Sequence, residues 1–234
     1  MRLRDFTVLS FDCYGTLIDW ESGIWAALQP LCGGAGIGRE DALAAFARHE
    51  SAQQSETPSL RYSELLALVH RRLAGEWGIA GSEAADRAFG ASIGDWPAFP
   101  DTPGALAYLK RFYKLVILSN VDRASFSRSN ARLGVEFDAI YTAEDIGSYK
   151  PDPANFRYLV DHLAAAGHGL GDILHVAQSL FHDHVPANAA GLKSAWIDRR
   201  AGAPGSGATP AAAARYDFRF ATLGGLAEAH AAER

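Results

Sequence analysis

Four times along this chain a short β-favouring apolar run ends at a chemically capable polar group, and helical sequence separates each run from the next. Residues 7–11 (TVLSF) run into Asp12, and 114–118 (KLVIL) run into Ser119 and Asn120. Residues 139–141 lead on to Lys150, and 173–177 (ILHVA) open onto the stretch from Gln178 to Asp183. A further run at 194–197 is the last strand expected. Short β-rich runs alternating with helices predict a parallel sheet with right-handed crossovers. In open α/β sheets ligands bind beyond the carboxyl ends of the strands. The pattern therefore predicts an α/β fold with a Rossmann-like core and a single site fed by four segments.

The sequence between these runs sets the domain layout. From 20 to about 93 Ala, Leu, Arg and Glu dominate at helical spacing, broken at Gly33-Gly34 and Thr57-Pro58. The proline-rich 95–100 reads as a linker. The expected division is a core made of residues 1–19 and 96–234 with a helical cap inserted at 20–95. Further helices are predicted over 105–112, 123–133 and 155–166, and another ends at 186–191. The small-residue stretch 202–214 reads as a surface loop.

Composition narrows the function classes. A chain of 234 residues, 48% hydrophobic and 21% charged, is an ordinary globular protein and needs no disulfide or metal staple. No apolar run approaches the roughly 18 residues of a membrane span. The start lacks a signal-peptide core. Cys13 and Cys32 show no metal-ligand spacing, which makes a reducing cytoplasm the expected location. A net charge of −5 argues against nucleic acid and membrane surfaces as partners. A small anionic substrate answers to local cations and stays open.

The strand ends also carry motifs. FDCYGTLID (11–19), ILSN (117–120), SYKPDP (148–153) and HVAQSLFHD (175–183) are similar, in order and spacing, to the four motifs of the haloacid dehalogenase superfamily. The resemblance covers nearly the whole chain, with 20–95 in the place of the helical cap. It departs from the superfamily's magnesium-dependent phosphatases in two places. Where those have a second Asp to protonate the leaving alkoxide, this chain has Tyr14. Where their fourth motif places a metal-binding Asp, it has Ala177-Gln178 and keeps only the later Asp183. Mg²⁺ wants hard, preferably anionic oxygen ligands, so both losses weaken a metal site. Both suit a halide leaving group, a weak base that needs no proton. The Asp-x-Tyr-Gly-Thr form resembles that of the L-2-haloacid dehalogenases, which act without metal or organic cofactor.

That resemblance implies roles. Asp12 is the nucleophile, displacing halide from C2 of a short haloacid to form an ester that water then hydrolyses. Lys150 stabilises its anion, and Asp183 partners Lys150 or the hydrolytic water. Ser119 and Asn120 hold the substrate carboxylate or the halide. Thr16 braces the nucleophile loop, Tyr14 contacts substrate, and Ser179 and Gln178 orient water. The cap arginine of those dehalogenases has no counterpart segment here, and Arg48 is the replacement candidate. Phe156 stands where that family often has Tyr. Trp20, Trp25 and Tyr62 are candidates for an apolar pocket wall, while His182, His184 and Cys13 have plainer structural readings. No metal and no cofactor are expected, and a homodimer through the cap or a sheet edge fits the layout. Two other classes stay open: a Mg²⁺-dependent phosphatase of small phosphate esters, and a non-catalytic binding module on the same fold. Each residue also has a bland alternative, with Asp12 as a loop cap, Lys150 as a solvated turn lysine and Arg48 as a surface arginine.

Overall fold

In the computed structural model, which describes residues 1–203, 205 and 207–234, six parallel strands form one sheet in the order β3-β2-β1-β4-β5-β6. The strands are β1 (Val8–Phe11), β2 (Lys114–Ser119), β3 (Ala139–Thr142), β4 (Ile173–Ala177), β5 (Lys193–Ile197) and β6 (Phe218–Phe220). Strand order reverses at β1, which lies between β2 and β4. The crevice at that reversal is where an open α/β sheet binds its ligand.

The central strands are apolar on both faces because helices cover both. Leu9, Phe11, Leu115, Ile117, Leu174 and Val176 point to one side and join a core that continues into the helical insertion through Ile24, Phe46, Leu65 and Leu66. Val8, Val116, Leu118 and Ile173 point to the other side, against Phe156, Leu159 and Leu163. Those last three lie on a helix opened by Pro153, whose missing N–H costs nothing in a first turn.

Positions 20–95 hold α1 (Trp20–Cys32), α2 (Arg39–Glu56), α3 (Tyr62–Glu76), α4 (Glu83–Ala91) and a 3₁₀ turn (Ser92–Asp95). Asp19 caps α1 by accepting from Ser22 N, and Ser82 caps α4 by accepting from Ala85 N. After them come α5 (Thr102–Leu109), α6 (Arg123–Leu133), α7 (Ala143–Ile146), α8 (Pro153–Ala165), α9 (Val185–Ala189) and α10 (Leu223–Ala232). Among the described residues no helix is long and apolar enough to cross a membrane.

Three features differ from the sequence expectations. The run at 194–197 is not the last strand, because β6 pairs outside β5. Its three residues, FRF, are too few to show alternation, and Arg219 reaches back to Asp198 at 2.5 Å with its guanidinium over Trp196. The C-terminal α10 also went unread, since LGGLAEAHAA is dominated by small residues and two glycines. The stretch 202–214 keeps to the surface except at its middle, where Ala208 and Thr209 are buried. Ala208 N donates to Glu21 Oε1 at 3.0 Å, and the Thr209 hydroxyl donates to Gln178 Oε1 at 3.3 Å. Residues 204 and 206 of that stretch lie outside the described residues.

Candidate active site

β1 ends one residue before Asp12, whose backbone N–H still donates to Val176 O of β4. The chain then turns sharply. Gly15 has φ +93°, a left-handed conformation that side-chain-bearing residues rarely adopt. A Cβ there would stand 3.0 Å from Trp20 Nε1 and 3.2 Å from Gln178 Oε1. The turn brings the Thr16 hydroxyl back to donate to Asp12 Oδ2 at 2.6 Å while accepting from Gln178 N at 2.9 Å. Thr16 thus ties the loop that carries Asp12 to the segment after β4.

The other oxygen of Asp12 meets Lys150. The buried ammonium donates to Asp12 Oδ1 at 2.9 Å, Asp183 Oδ1 at 2.7 Å and Leu118 O at 2.9 Å, which uses all three protons. Asn120 fixes the lysine backbone, accepting from Lys150 N at 2.6 Å and donating to Lys150 O at 2.9 Å. Its amide is therefore committed to positioning Lys150. Asp183 Oδ1 also accepts from His175 Nε2 at 3.0 Å, and His175 Nδ1 accepts from the Ser10 hydroxyl at 2.9 Å. A continuous buried chain runs from Ser10 through His175, Asp183, Lys150 and Asp12 to Thr16.

The charge balance sets the ionisation. Burial raises the Asp12 carboxyl above its ordinary value and Asp183 adds to the rise, with Lys150 and Thr16 opposing. Burial also acts against the Asp183 anion, but Lys150 and His175 outweigh it and hold that carboxyl well below the usual range. For Lys150, burial works against the charge and the two carboxylates more than restore it. One cation thus serves two anions.

These groups open onto a small cavity lined by Asp12, Tyr14, Trp20, Glu50, Gln54, Tyr62, Ser119, Asn120, Val121, Lys150, Gln178, Ser179, His182, Asp183 and Thr209. Four buried polar atoms of its lining have no hydrogen-bond partner: Ser119 Oγ, Asp183 Oδ2, His182 Nε2 and Glu50 Oε2. Such atoms are rare inside folded proteins, and these four belong to residues that line one cavity.

The structure gathers Asp12, Tyr14, Ser119, Asn120, Lys150, Gln178, Ser179 and Asp183 around this cavity, with Thr16 directly behind Asp12. Arg48, the expected replacement for the cap arginine, is the exception. Its guanidinium is 62% exposed and paired with Glu76 at 2.9 Å, on the outer face of α2. Trp25 does not line the cavity, whereas Trp20 and Tyr62 do. The Tyr14 hydroxyl is turned onto Ser129 Oγ at 2.7 Å. Ser179 accepts from His182 N at 2.9 Å, capping the π-helical turn Leu180–His184 that carries Asp183. Single π turns often mark functional sites. Both ring nitrogens of His184 are engaged, with Ser194 Oγ and Ala177 O, each at 3.0 Å. Burial pushes His182 down to about 4, so its imidazole is neutral. Burial likewise pushes the Cys13 thiol well up, leaving it inert.

Glu50 was not among the sequence candidates. It sits on α2 within ARHESAQQ, a stretch that resembles a solvated helix face. The available signal was spacing: Leu43, Phe46, Ala47, Glu50, Gln53 and Gln54 follow one helical stripe, and all are buried. His175 escaped notice because a histidine inside a strand looks like core.

The donor set does not fit Mg²⁺. Three of the four oxygens of Asp12 and Asp183 already face protein donors, and an ammonium lies between the two carboxylates. Among the described residues no group of three or more His, Cys, Asp or Glu side chains could hold a metal ion.

Comparison with known proteins is consistent with this frame. The family model for haloacid dehalogenase-like hydrolases matches residues 6–176. A solved L-2-haloacid dehalogenase is 25% identical with a TM-score of 0.78, over 95% of this chain and 98% of that one. The L-2-haloacid dehalogenase from Xanthobacter autotrophicus is 20% identical with a TM-score of 0.75, over 95% and 97%. A HAD-hydrolase from Bacillus subtilis, solved bound to magnesium, is 18% identical with a TM-score of 0.75, over 99% and 100%. The last two likenesses speak to the fold alone. No curated protein sequence matches the chain.

Proposed function

The chain belongs to the haloacid dehalogenase-like hydrolase family, and within it we propose a metal-independent dehalogenase that converts short 2-haloalkanoic acids to 2-hydroxy acids. The observation that carries this reading is the pairing of a buried Asp12 with Lys150 while the position two residues on offers no acid. Tyr14 spends its hydroxyl on Ser129, and burial holds that hydroxyl neutral well above its ordinary value. A leaving group here departs unprotonated unless another residue supplies the proton, and halide is the leaving group that tolerates this.

In the first step a carboxylate oxygen of Asp12 attacks C2 of the haloacid. The carbon–halogen bond breaks and halide leaves with the electron pair, forming an ester on Asp12. Water then attacks the ester carbonyl carbon, the acyl C–O bond breaks, and Asp12 returns with release of the 2-hydroxy acid and a proton. Lys150 holds Asp12 in place and offsets charge on its carbonyl oxygen during hydrolysis. Asp183 Oδ2 and His182 Nε2, unpartnered atoms of two residues that line the cavity, suit the hydrolytic water. Ser119 offers an uncommitted hydroxyl to the substrate. The helices at 20–95 act as the cap, shielding the ester through Trp20, Gln54 and Tyr62.

Chloride release from chloroacetate and from each enantiomer of 2-chloropropionate, with EDTA present, tests this directly. The wild type is expected to release chloride and Asp12→Asn is expected to release none, with the enantiomer ratio giving the stereochemistry. No release by the wild type, or undiminished release by the variant, would sink the proposal.

A further inference from the structure

The cavity lacks a free cation. Among the described residues lining it Lys150 is the only positive side chain, and its three protons are already given to Asp12, Asp183 and Leu118. With both carboxylates ionised the lining carries a net negative charge before any ligand enters. A substrate anion needs a donor to meet it there, and Glu50 is placed to be one. Its Oε1 accepts from the Tyr62 hydroxyl at 2.5 Å, while its Oε2 is buried, unpartnered and part of a residue that lines the cavity. A neutral carboxyl arranged this way accepts on one oxygen and donates from the other.

We propose that Glu50 is a specificity-determining residue of this site, its neutral carboxyl donating from Oε2 to the anionic group of the bound substrate. This rests on the dehalogenase reading only for the substrate's carboxylate; the demand for a donor comes from the cavity itself. Ionised, Glu50 presents a second uncompensated charge and repels the same anion. Its protonation state therefore gates entry, and burial pushes its carboxyl up to about 7 with Tyr62 opposing.

The titratable neighbours leave the gate to Glu50. Tyr62 from α3, Tyr149 from the segment before α8 and Tyr14 from the first loop are all pushed upward by burial and stay neutral. His182 and Asp183 in the π turn are held low, by burial and by Lys150 with His175 respectively, and Lys150 is held high. Asp12, the remaining group, is raised by burial and is separated from Glu50 by the variant below.

The experiment is calorimetric titration of L-lactate, a 2-hydroxy acid, and of neutral lactamide across pH 6–8.5, for wild type and Glu50→Gln. The Gln variant keeps the size and the donor without the titration. For wild type the lactate Kd is expected to rise about 30-fold over that span, as a single ionisation near neutrality demands. Lactamide affinity should change far less, and Glu50→Gln should bind lactate with a nearly flat profile. A flat wild-type profile, the same rise in the variant, or no lactate binding at any pH would overturn the inference. Chloride release run alongside keeps the two readings apart. Release with flat lactate binding removes only the role of Glu50, and pH-gated binding without release removes only the dehalogenation.

Discussion

Lys150 has three protons and three acceptors, and two of those acceptors are carboxylates drawn from opposite ends of the sequence. Removing its charge leaves two buried anions facing each other. Lys150→Met is therefore expected to abolish turnover and to cost about 3–5 kcal/mol of stability, as broken buried ion pairs do. Urea unfolding monitored by circular dichroism measures the second effect, and a midpoint within error of wild type would contradict it. At this scale the sequence was most legible where residues lie next to a strand end. Asp12 and Ser119 were readable from position, because a strand terminus fixes where the residue there points, whereas Lys150 and Asp183 lie well past β3 and β4 and were readable from the SYKPDP and HVAQSLFHD segments. Glu50 and His175 were not. Each lies inside a regular element, where burial depends on what packs against it and leaves little local mark. Arg48 failed for a related reason: its place on a helix follows from spacing, but the face it takes is set by Leu43 and Phe46, which turn a different side of α2 to the core.

Helix α1 shows how an element transmits precision to the site. Gly23 faces Trp96, and a Cβ on it would stand 2.2 Å from Trp96 Cγ, well inside contact. The Trp96 ring in turn packs edge-on against Tyr14 at 5.7 Å, one residue before the glycine of the loop that carries Asp12. Gly23→Ala is expected to destabilise the fold by about 1–3 kcal/mol through overpacking, read as a lowered thermal midpoint. An unchanged midpoint would mean that Trp96 has room to move. The element boundaries themselves show what patterning can and cannot reveal. Strand β4 and helix α6 stand at 173–177 and 123–133 as expected, and Asp122 caps α6 by accepting from Ser125 N. The expected helix at 105–112 starts earlier, at Thr102, because Pro103 belongs in its first turn. Strand β6 needed β5 already in place to be recognised, since three residues form a strand only against a partner.

Across the whole molecule, one apolar core joins the sheet to the helical insertion without a break, from Leu9 and Phe11 through Ile24 to Phe46 and Leu66. Polar ties reinforce it: the Tyr149 hydroxyl donates to Leu60 O, and Ser63 N donates to Asp122 Oδ2 at 3.2 Å. Thermal unfolding is accordingly expected to be a single transition, coincident in the near- and far-ultraviolet. Two separated transitions would mean that the insertion holds together alone. The parallel topology was readable from the alternation of strands and helices. The inward fold of 207–209 over the site was not, because nothing in a run of Ala, Gly and Pro announces that Glu21 and Gln178 will receive it.

The position of β1 has a consequence for how the protein is made. It is the first strand in the chain and the middle strand of the sheet, and its Ser10 meets its partner His175 across 165 residues. At the roughly 5–20 residues per second of translation, a nascent chain holds this strand with both edges unsatisfied for on the order of ten seconds or more. During that wait an apolar VLSF segment is open to any passing strand. Asp12 is thus synthesised well before Lys150, the buried cation that its carboxylate meets, and the strand that presents it waits unpaired for the neighbours that fix its position.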